Sequence, residues 1–270
     1  MSGACYLDLD GTLLGQGASL LHDGEGHVSL LGARAIEACL RADVEVVLMS
    51  GRRRAQVAED ARLLGQSAFI YEVGVLSLDG EEHWLTGGLV PGELTVYEQI
   101  EASGAPALLL DSYTGRLEYH EPWSAGREVS HLFRGLVDAD EVDLLLRQHG
   151  HENLRLVDNG TVSHRSPALA ELPQVHGYHL VPALASKAAA VALHMRARGL
   201  ERSRTFAIGD SREDLAVAEH VKTFWLVANA LVRDPSLHAE LGDFSNVRLA
   251  EDGHGGGVYE AVLTTLAERR

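Results

Sequence analysis

Two textures of apolar and polar positions divide this chain. Over the first 75 or so residues, short continuous apolar runs alternate with segments of helical spacing. Residues 4–9, Val44–Met49 (apolar apart from Glu45) and Ala68–Tyr71 read as strands buried on both faces, since a strand with one wet face would alternate. Between them, residues 29–40 carry Leu30, Leu31, Ala35, Ile36, Cys39 and Leu40 at helical intervals behind Ser29, a plausible N-cap. Residues 53–64 form a second amphipathic segment, ended by Gly65. Strand-helix-strand-helix-strand with continuous apolar strands predicts an α/β fold, a parallel sheet with helices on both faces.

From about residue 75 to 182 the pattern turns hairpin-like. Val75–Leu78 faces 83–85 across Asp79-Gly80, and further strands are expected at 107–110, 117–120, 154–157 and 162–165. Asp158-Asn159-Gly160 joins the last two as a hairpin turn would. Helices are expected at 93–102 and 139–149. This reads as an inserted α+β domain with an open, mostly antiparallel sheet. After Ser186 the first texture resumes, with helix 187–198, strand 204–208, helix 213–220, strand 223–227 and a last helix, 258–268, behind the glycine run 255–257. The expected division is a core of residues 1–77 and 186–270, interrupted by 78–185.

Composition narrows the function. The 270 residues are 46% hydrophobic and 23% charged, ordinary for a globular chain able to bury a large core. The formal charge of -16 repels nucleic acid phosphates, so no nucleic-acid partner is expected. No apolar run approaches the roughly 20 residues that span a bilayer. No basic segment precedes the first strand either, so neither membrane nor export is expected and the location reads as cytoplasmic. The one tight basic cluster, Arg52-Arg53-Arg54, suits the anchoring of a single phosphate. Cys5 and Cys39 read as small core residues.

Candidate chemistry gathers where the core strands end. Asp8 and Asp10 alternate with Leu7 and Leu9, so both carboxylates can converge beyond the first strand, before Gly11 turns the chain and Thr12 adds a hydroxyl. Two such acids repel unless a cation or a shared proton lies between them. They suit a metal or acid/base site, or else an Asp-rich turn. Ser50-Gly51 follows the second strand and can offer a hydroxyl, a backbone N–H and a helix amino end to an anion, or simply cap that helix. Lys187 opens a helix, where the dipole disfavours a cation; it is a solvated lysine or a functional one. Asp210 ends another apolar strand, and Asp214 lies one turn further on. With Asp8 and Asp10 they make four acids on one rim, a set suited to Mg²⁺ shared with a phosphate.

Asp-x-Asp-Gly-Thr, then Ser, then Lys, then Gly-Asp-x₃-Asp, each at a strand or helix end, resembles the haloacid dehalogenase superfamily of phosphatases. The insertion resembles that superfamily's larger α+β cap, shared by Cof-like hydrolases and by sucrose-phosphate, trehalose-phosphate and mannosyl-3-phosphoglycerate phosphatases. The resemblance covers essentially the whole chain and implies a Rossmann-like core with a cap that sets substrate choice. It implies Asp8 as nucleophile, forming an aspartyl-phosphate, and Asp10 as general acid and then base. Mg²⁺ would bind through Asp8, the Asp10 carbonyl, Asp210 and, directly or in support, Asp214. Ser50, Gly51, Gly11, Thr12 and Lys187 would hold the phosphoryl group and its loop.

The chain departs from the superfamily pattern in three places. Glu213 stands where cap-bearing relatives have Asn, Glu72-Val73-Gly74 stands for their Asn-Gly, and Ala188 replaces the Gly after the lysine. None of these removes a primary catalytic group. The expected activity is Mg²⁺-dependent hydrolysis of a small phosphorylated metabolite, a sugar phosphate or glycosyl-3-phosphoglycerate. A phosphosugar mutase on the same fold and a non-catalytic protein binding a phosphorylated ligand are the alternatives. Candidate substrate residues are Arg52, His120, Glu121, Arg127, His131, Arg134 and His179.

Overall fold

The structure, a computed structural model, describes residues 3–162 and 166–269. Its organising element is β1 (Gly3–Asp8), buried at all six positions. Within β1, Cys5 and Leu7 face one apolar layer while Ala4 and Tyr6 face another, as the two-residue strand period requires. β1 is central in an eight-stranded sheet whose order is β12 (Val247–Leu249), β11 (Thr223–Leu226), β10 (Thr205–Gly209), β1, β2 (Val44–Met49), β3 (Ala68–Tyr71), β4 (Val75–Leu78), β5 (Glu81–Trp84). Pairing is parallel from β12 to β3 and antiparallel for β4 and β5. On one face pack α1 (Leu31–Arg41), α2 (Arg54–Leu63) and a terminal helix, His254–Ala267.

Residues 87–185 leave the large sheet and build a second one. It runs β6 (Leu117–Tyr119), β7 (His131–Gly135), β9 (His176–Pro182), β8 (Leu154–Thr161), antiparallel throughout. Helices α3 (Val96–Ala102), α4 (Ala105–Ser112) and α5 (Ala139–Gln148) cover one face of it through Ile100, Leu109, Phe133, Leu146 and Leu180. Past this insert, α6 (Lys187–Arg198), α7 (Arg212–Leu215), α8 (Ala228–Arg233) and α9 (Leu237–Glu240) cover the other face of the large sheet. The His254–Ala267 helix is α10. No helix of the described residues is long and apolar enough to cross a membrane.

Several expectations are corrected here. The 107–110 run is helical: Pro106 sits in the first turn of α4, and a short leucine-rich run has no period that separates strand from helix. Asp158-Asn159-Gly160 is not a hairpin turn. β8 continues through it, with Gly160 at φ +78° and a register shift between Asp158 and Thr161, so one extra residue makes a bulge. The strand placed at 162–165 falls mostly outside the described residues. β5, expected in the insert, is the edge strand of the large sheet, which moves the insert's start past Trp84. The expected 213–220 helix is α7 followed by a tighter turn, Ala216–Glu219.

The last helix starts at His254 and contains the glycine run. A Cβ on Gly255 would lie 3.0 Å from the Gly32 nitrogen, so these glycines permit close packing of α10 on α1. β7 and β9, the inner strands of the second sheet, were not anticipated. Both mix apolar and ionisable residues on buried faces.

Candidate active site

β10, β1 and β2 are neighbours, so the residues just past their carboxyl ends share one rim. Lys187, at the start of α6, reaches that rim from across the sheet. Its Nζ donates to Asp8 Oδ1 at 2.8 Å and to Asp214 Oδ1 at 2.6 Å, and all three residues are buried. Burial opposes the lysine's charge, but Asp214 and Asp8 outweigh it and hold its pKa above the usual value. The solvated-lysine reading is thereby excluded. Asp8 Oδ2 is buried and has no hydrogen-bond partner among the described residues. Burial, then the charge of Asp214, raises the Asp8 pKa well above the ordinary carboxylate range despite Lys187.

Asp214 Oδ2 accepts from the N–H of Asp210 (3.2 Å), the N–H of Ser211 (3.1 Å) and the Ser211 hydroxyl (2.6 Å). It therefore caps α7 as well as holding the lysine. Asp210, pushed up to about 7 mainly by burial, pairs with Arg233. One oxygen each from Asp8, Asp210 and Asp214 lies within 4.8 Å of the others. These hard oxygen donors, one of them without a partner, fit a divalent cation such as Mg²⁺.

Asp10 is set apart from that cluster. Its half-exposed carboxylate receives Arg52 Nε and Nη2, both at 2.6 Å, a bidentate clamp that Asp60 supports from behind at 3.1 Å. Gly11, at φ +86°, passes so close to Asp210 and Arg233 that a side chain there would collide with both. The Thr12 hydroxyl is buried within this loop, and its N–H donates to the Leu9 carbonyl at 3.3 Å. Ser50 Oγ accepts from the Arg52 N–H at 3.1 Å and keeps its own proton to donate. The Ser50 N–H, expected to meet an anion, is spent on the Ile70 carbonyl at 2.9 Å.

A cavity of about 460 Å³ separates this rim from the inserted sheet. Of the substrate candidates, Arg52, His120, Arg127 and His179 line it, joined by Trp123 and Asn159. His131 and Arg134 do not. The two-residue period sends His131 to the helix-covered face with Phe133, where it stacks on Tyr97 at 3.7 Å and bonds the Tyr97 carbonyl. Arg134, near the end of the inner strand β7, pairs with Glu118 of β6 at 2.6 Å. Glu121 is exposed, its carboxylate accepting from the Ser124 hydroxyl.

No protein-family model matches the chain. A phosphoglycolate phosphatase from Methanoculleus marisnigri is 26% identical over 264 residues, covering 94% of this chain and 93% of that one. Among solved structures, the sucrose-phosphatase of Synechocystis in complex with sucrose and phosphate matches with a TM-score of 0.68 at 16% identity, over 98% of both chains. A haloacid dehalogenase-like hydrolase from Bacteroides thetaiotaomicron matches with a TM-score of 0.59 at 16% identity, over 98% of this chain and 99% of that one. The chain shares its fold with haloacid dehalogenase-like hydrolases.

Two of its departures from the haloacid dehalogenase pattern acquire a physical account. Glu213 Oε1 accepts the Lys187 N–H at 3.0 Å, while Arg155 of β8 approaches the same carboxylate at 3.2 Å. The acid thus sits at the amino end of α6, where the dipole favours it, and ties that end to the inserted sheet. Glu72 (φ +43°) and Val73 (φ +68°) occupy the left-handed region that Asn and Gly tolerate better. The buried Glu72 carboxylate accepts the N–H groups of Glu128 (2.9 Å), Val129 (3.0 Å) and Ser130 (2.8 Å), and Arg127 lies 3.6 Å away. Arg155, Ser130 and Arg233 escaped the sequence reading, which singled out Glu72 only as a departure from the pattern. The one signal available was Glu72 standing where the pattern has Asn-Gly.

Proposed function

We propose that this protein is a Mg²⁺-dependent phosphomonoesterase that hydrolyses a small phosphorylated metabolite bearing hydroxyl groups, a sugar phosphate or a glycosyl-3-phosphoglycerate, through an aspartyl-phosphate. The observation that carries this reading is Asp8 itself, at the end of the central strand. One oxygen is pinned by Lys187, and the other is buried beside the cavity without a partner among the described residues. The phosphatase named in the sequence relative supports the same class.

In this reading Asp8 Oδ2 attacks phosphorus and Lys187 balances the charge that develops on the phosphoryl oxygens. Ser50 Oγ donates a hydrogen bond to one of those oxygens. Asp10, released from or sharing its Arg52 clamp, protonates the leaving alcohol and later takes a proton from the water that opens the aspartyl-phosphate. Asp8 and Asp210 would hold Mg²⁺, with Asp214 in support because both its oxygens already serve Lys187 and the α7 turn. The ion would supply positive charge beside the phosphoryl oxygens. The cavity roof would exclude bulk water during the transfer.

A panel of phosphorylated sugars, phosphoglycerates, phosphoglycolate and an aryl phosphate, assayed for phosphate release with Mg²⁺, tests the proposal. Turnover of at least one is expected, and Asp8→Asn should abolish it while leaving the far-ultraviolet circular dichroism unchanged. A protein that turns over none of them is not a phosphomonoesterase. An active Asp8→Asn variant would remove Asp8 as nucleophile.

A further inference from the structure

His179 lies on β9 opposite Leu132 of β7, almost fully buried, on the face of the inserted sheet that roofs the cavity. Its ring tip hangs over Gly51: a Cβ on that glycine would stand 2.8 Å from Nε2. The loop after Ser50 therefore needs glycine at this position so that the histidine can approach.

The opposite ring nitrogen is held by a chain of partners. Ser130 Oγ lies 3.3 Å from His179 Nδ1, 3.1 Å from Glu72 Oε2 and 2.8 Å from Arg127 Nη1. Arg127 can only donate, and the serine has a single proton to give. The Glu72 carboxylate is both charged and nearer than the imidazole, so it takes that proton. Ser130 is left with a lone pair for His179, which makes Nδ1 the protonated nitrogen and leaves Nε2 with a bare lone pair over the cavity floor. Burial, followed by the charges of Arg127, Lys187 and His120, holds the His179 pKa well below its usual value, which agrees with a neutral ring.

We propose that His179 determines specificity by accepting, at Nε2, a hydrogen bond from a hydroxyl of the leaving group, so that the site selects hydroxylated phosphoesters and disfavours those whose nearest group is a carboxylate. The inference rests on the phosphatase reading and deepens it. A carboxylate has only lone pairs to set against another lone pair, and both would stay unsatisfied in a closed space. Arg127 offers such a ligand at most one free N–H among the described contacts. Its guanidinium already donates to the Gly51 carbonyl from both terminal nitrogens (3.0 Å each), to Ser130 and to the Trp123 carbonyl, and Glu72 balances its charge.

Two readouts use the unaltered protein. Nitrogen-15 NMR of histidine-labelled protein should show His179 as the Nδ1–H tautomer with a non-protonated Nε2; an Nε2–H tautomer or an imidazolium at neutral pH overturns the assignment. In steady-state assays with Mg²⁺, kcat/KM should be higher for phosphorylated sugars or polyols than for phosphoglycolate. A preference for phosphoglycolate overturns the inference while leaving the phosphatase reading intact, whereas no turnover even of an aryl phosphate defeats both. Among variants, His179→Leu should lower the sugar-phosphate to phosphoglycolate ratio of kcat/KM by about tenfold, the scale of one lost hydrogen bond in a dry site. His179→Gln, which can return an acceptor oxygen near the Nε2 position, should restore part of the ratio. An equal loss on all substrates would mean that His179 only supports the fold.

Discussion

Burial raises the pKa of Asp8 and of Asp210, the latter to about 7, and Asp214 adds to both. The consequence for stability has a definite sign. Between the ordinary carboxylate value near 4 and about 7, these two groups hold more protons in the folded chain than in the unfolded one, so their contribution to stability is greatest at the acid end of that window and falls as pH rises through it. A divalent cation can take the proton's place as counter-charge. Added Mg²⁺ should therefore raise the thermal midpoint at pH 8 far more than at pH 5. Melts across this range with and without Mg²⁺ check it; parallel curves would mean that the three acids hold no cation. Most of these residues were legible in the sequence, because Asp8, Ser50 and Asp210 each follow an apolar run directly. Arg233 was not, since its partner Asp210 lies 23 positions away and no local pattern announces the pair.

Elements of the large sheet were legible for the same physical reason. Val44–Met49, Ala68–Tyr71 and Val75–Leu78 are covered on both faces, so burial itself wrote continuous apolar runs. The inserted sheet writes no such signal: β7 mixes His131 and Arg134 with Leu132 and Phe133, and its pairing with β9 spans some 45 residues. What holds that sheet to the large one is also polar. Glu72, in a turn after β3, accepts three consecutive N–H groups from 128–130 just before β7. Glu72→Ala would strand those donors and leave the buried Arg127 without its counter-charge. A loss of roughly 3–5 kcal/mol is expected, the range for breaking one side of a buried ion pair. Urea unfolding measures it; a loss below about 1 kcal/mol would make the contact no stronger than a surface pair.

At the scale of the whole molecule, the cavity exists because the inserted sheet rests on the rim, and the width of its mouth depends on how far that contact yields. The seam has a strong side and a weak one. On the strong side stand Glu72 and Arg127, buried and each held by several hydrogen bonds. On the weak side are two arginines: Arg155 on Glu213 and the Ala185 carbonyl, and Arg233 on the Thr161 carbonyl. Arg155 is 27% exposed at its side chain, so its ion pair is partly screened and worth about 1 kcal/mol or less. Such a bond can break at every turnover without unfolding either part. Arg155→Ala should therefore leave the thermal midpoint nearly unchanged yet speed amide exchange at the start of α6, where the Lys187 N–H loses a positioned Glu213 acceptor. Hydrogen-exchange mass spectrometry resolves the two outcomes. Faster exchange confined to the α6 amino end and to β8 makes this side the one that opens, with the Glu72 side as hinge. A drop of many degrees, or exchange accelerated equally around 128–130, would mean that the seam behaves as one rigid contact and that the cavity opens elsewhere.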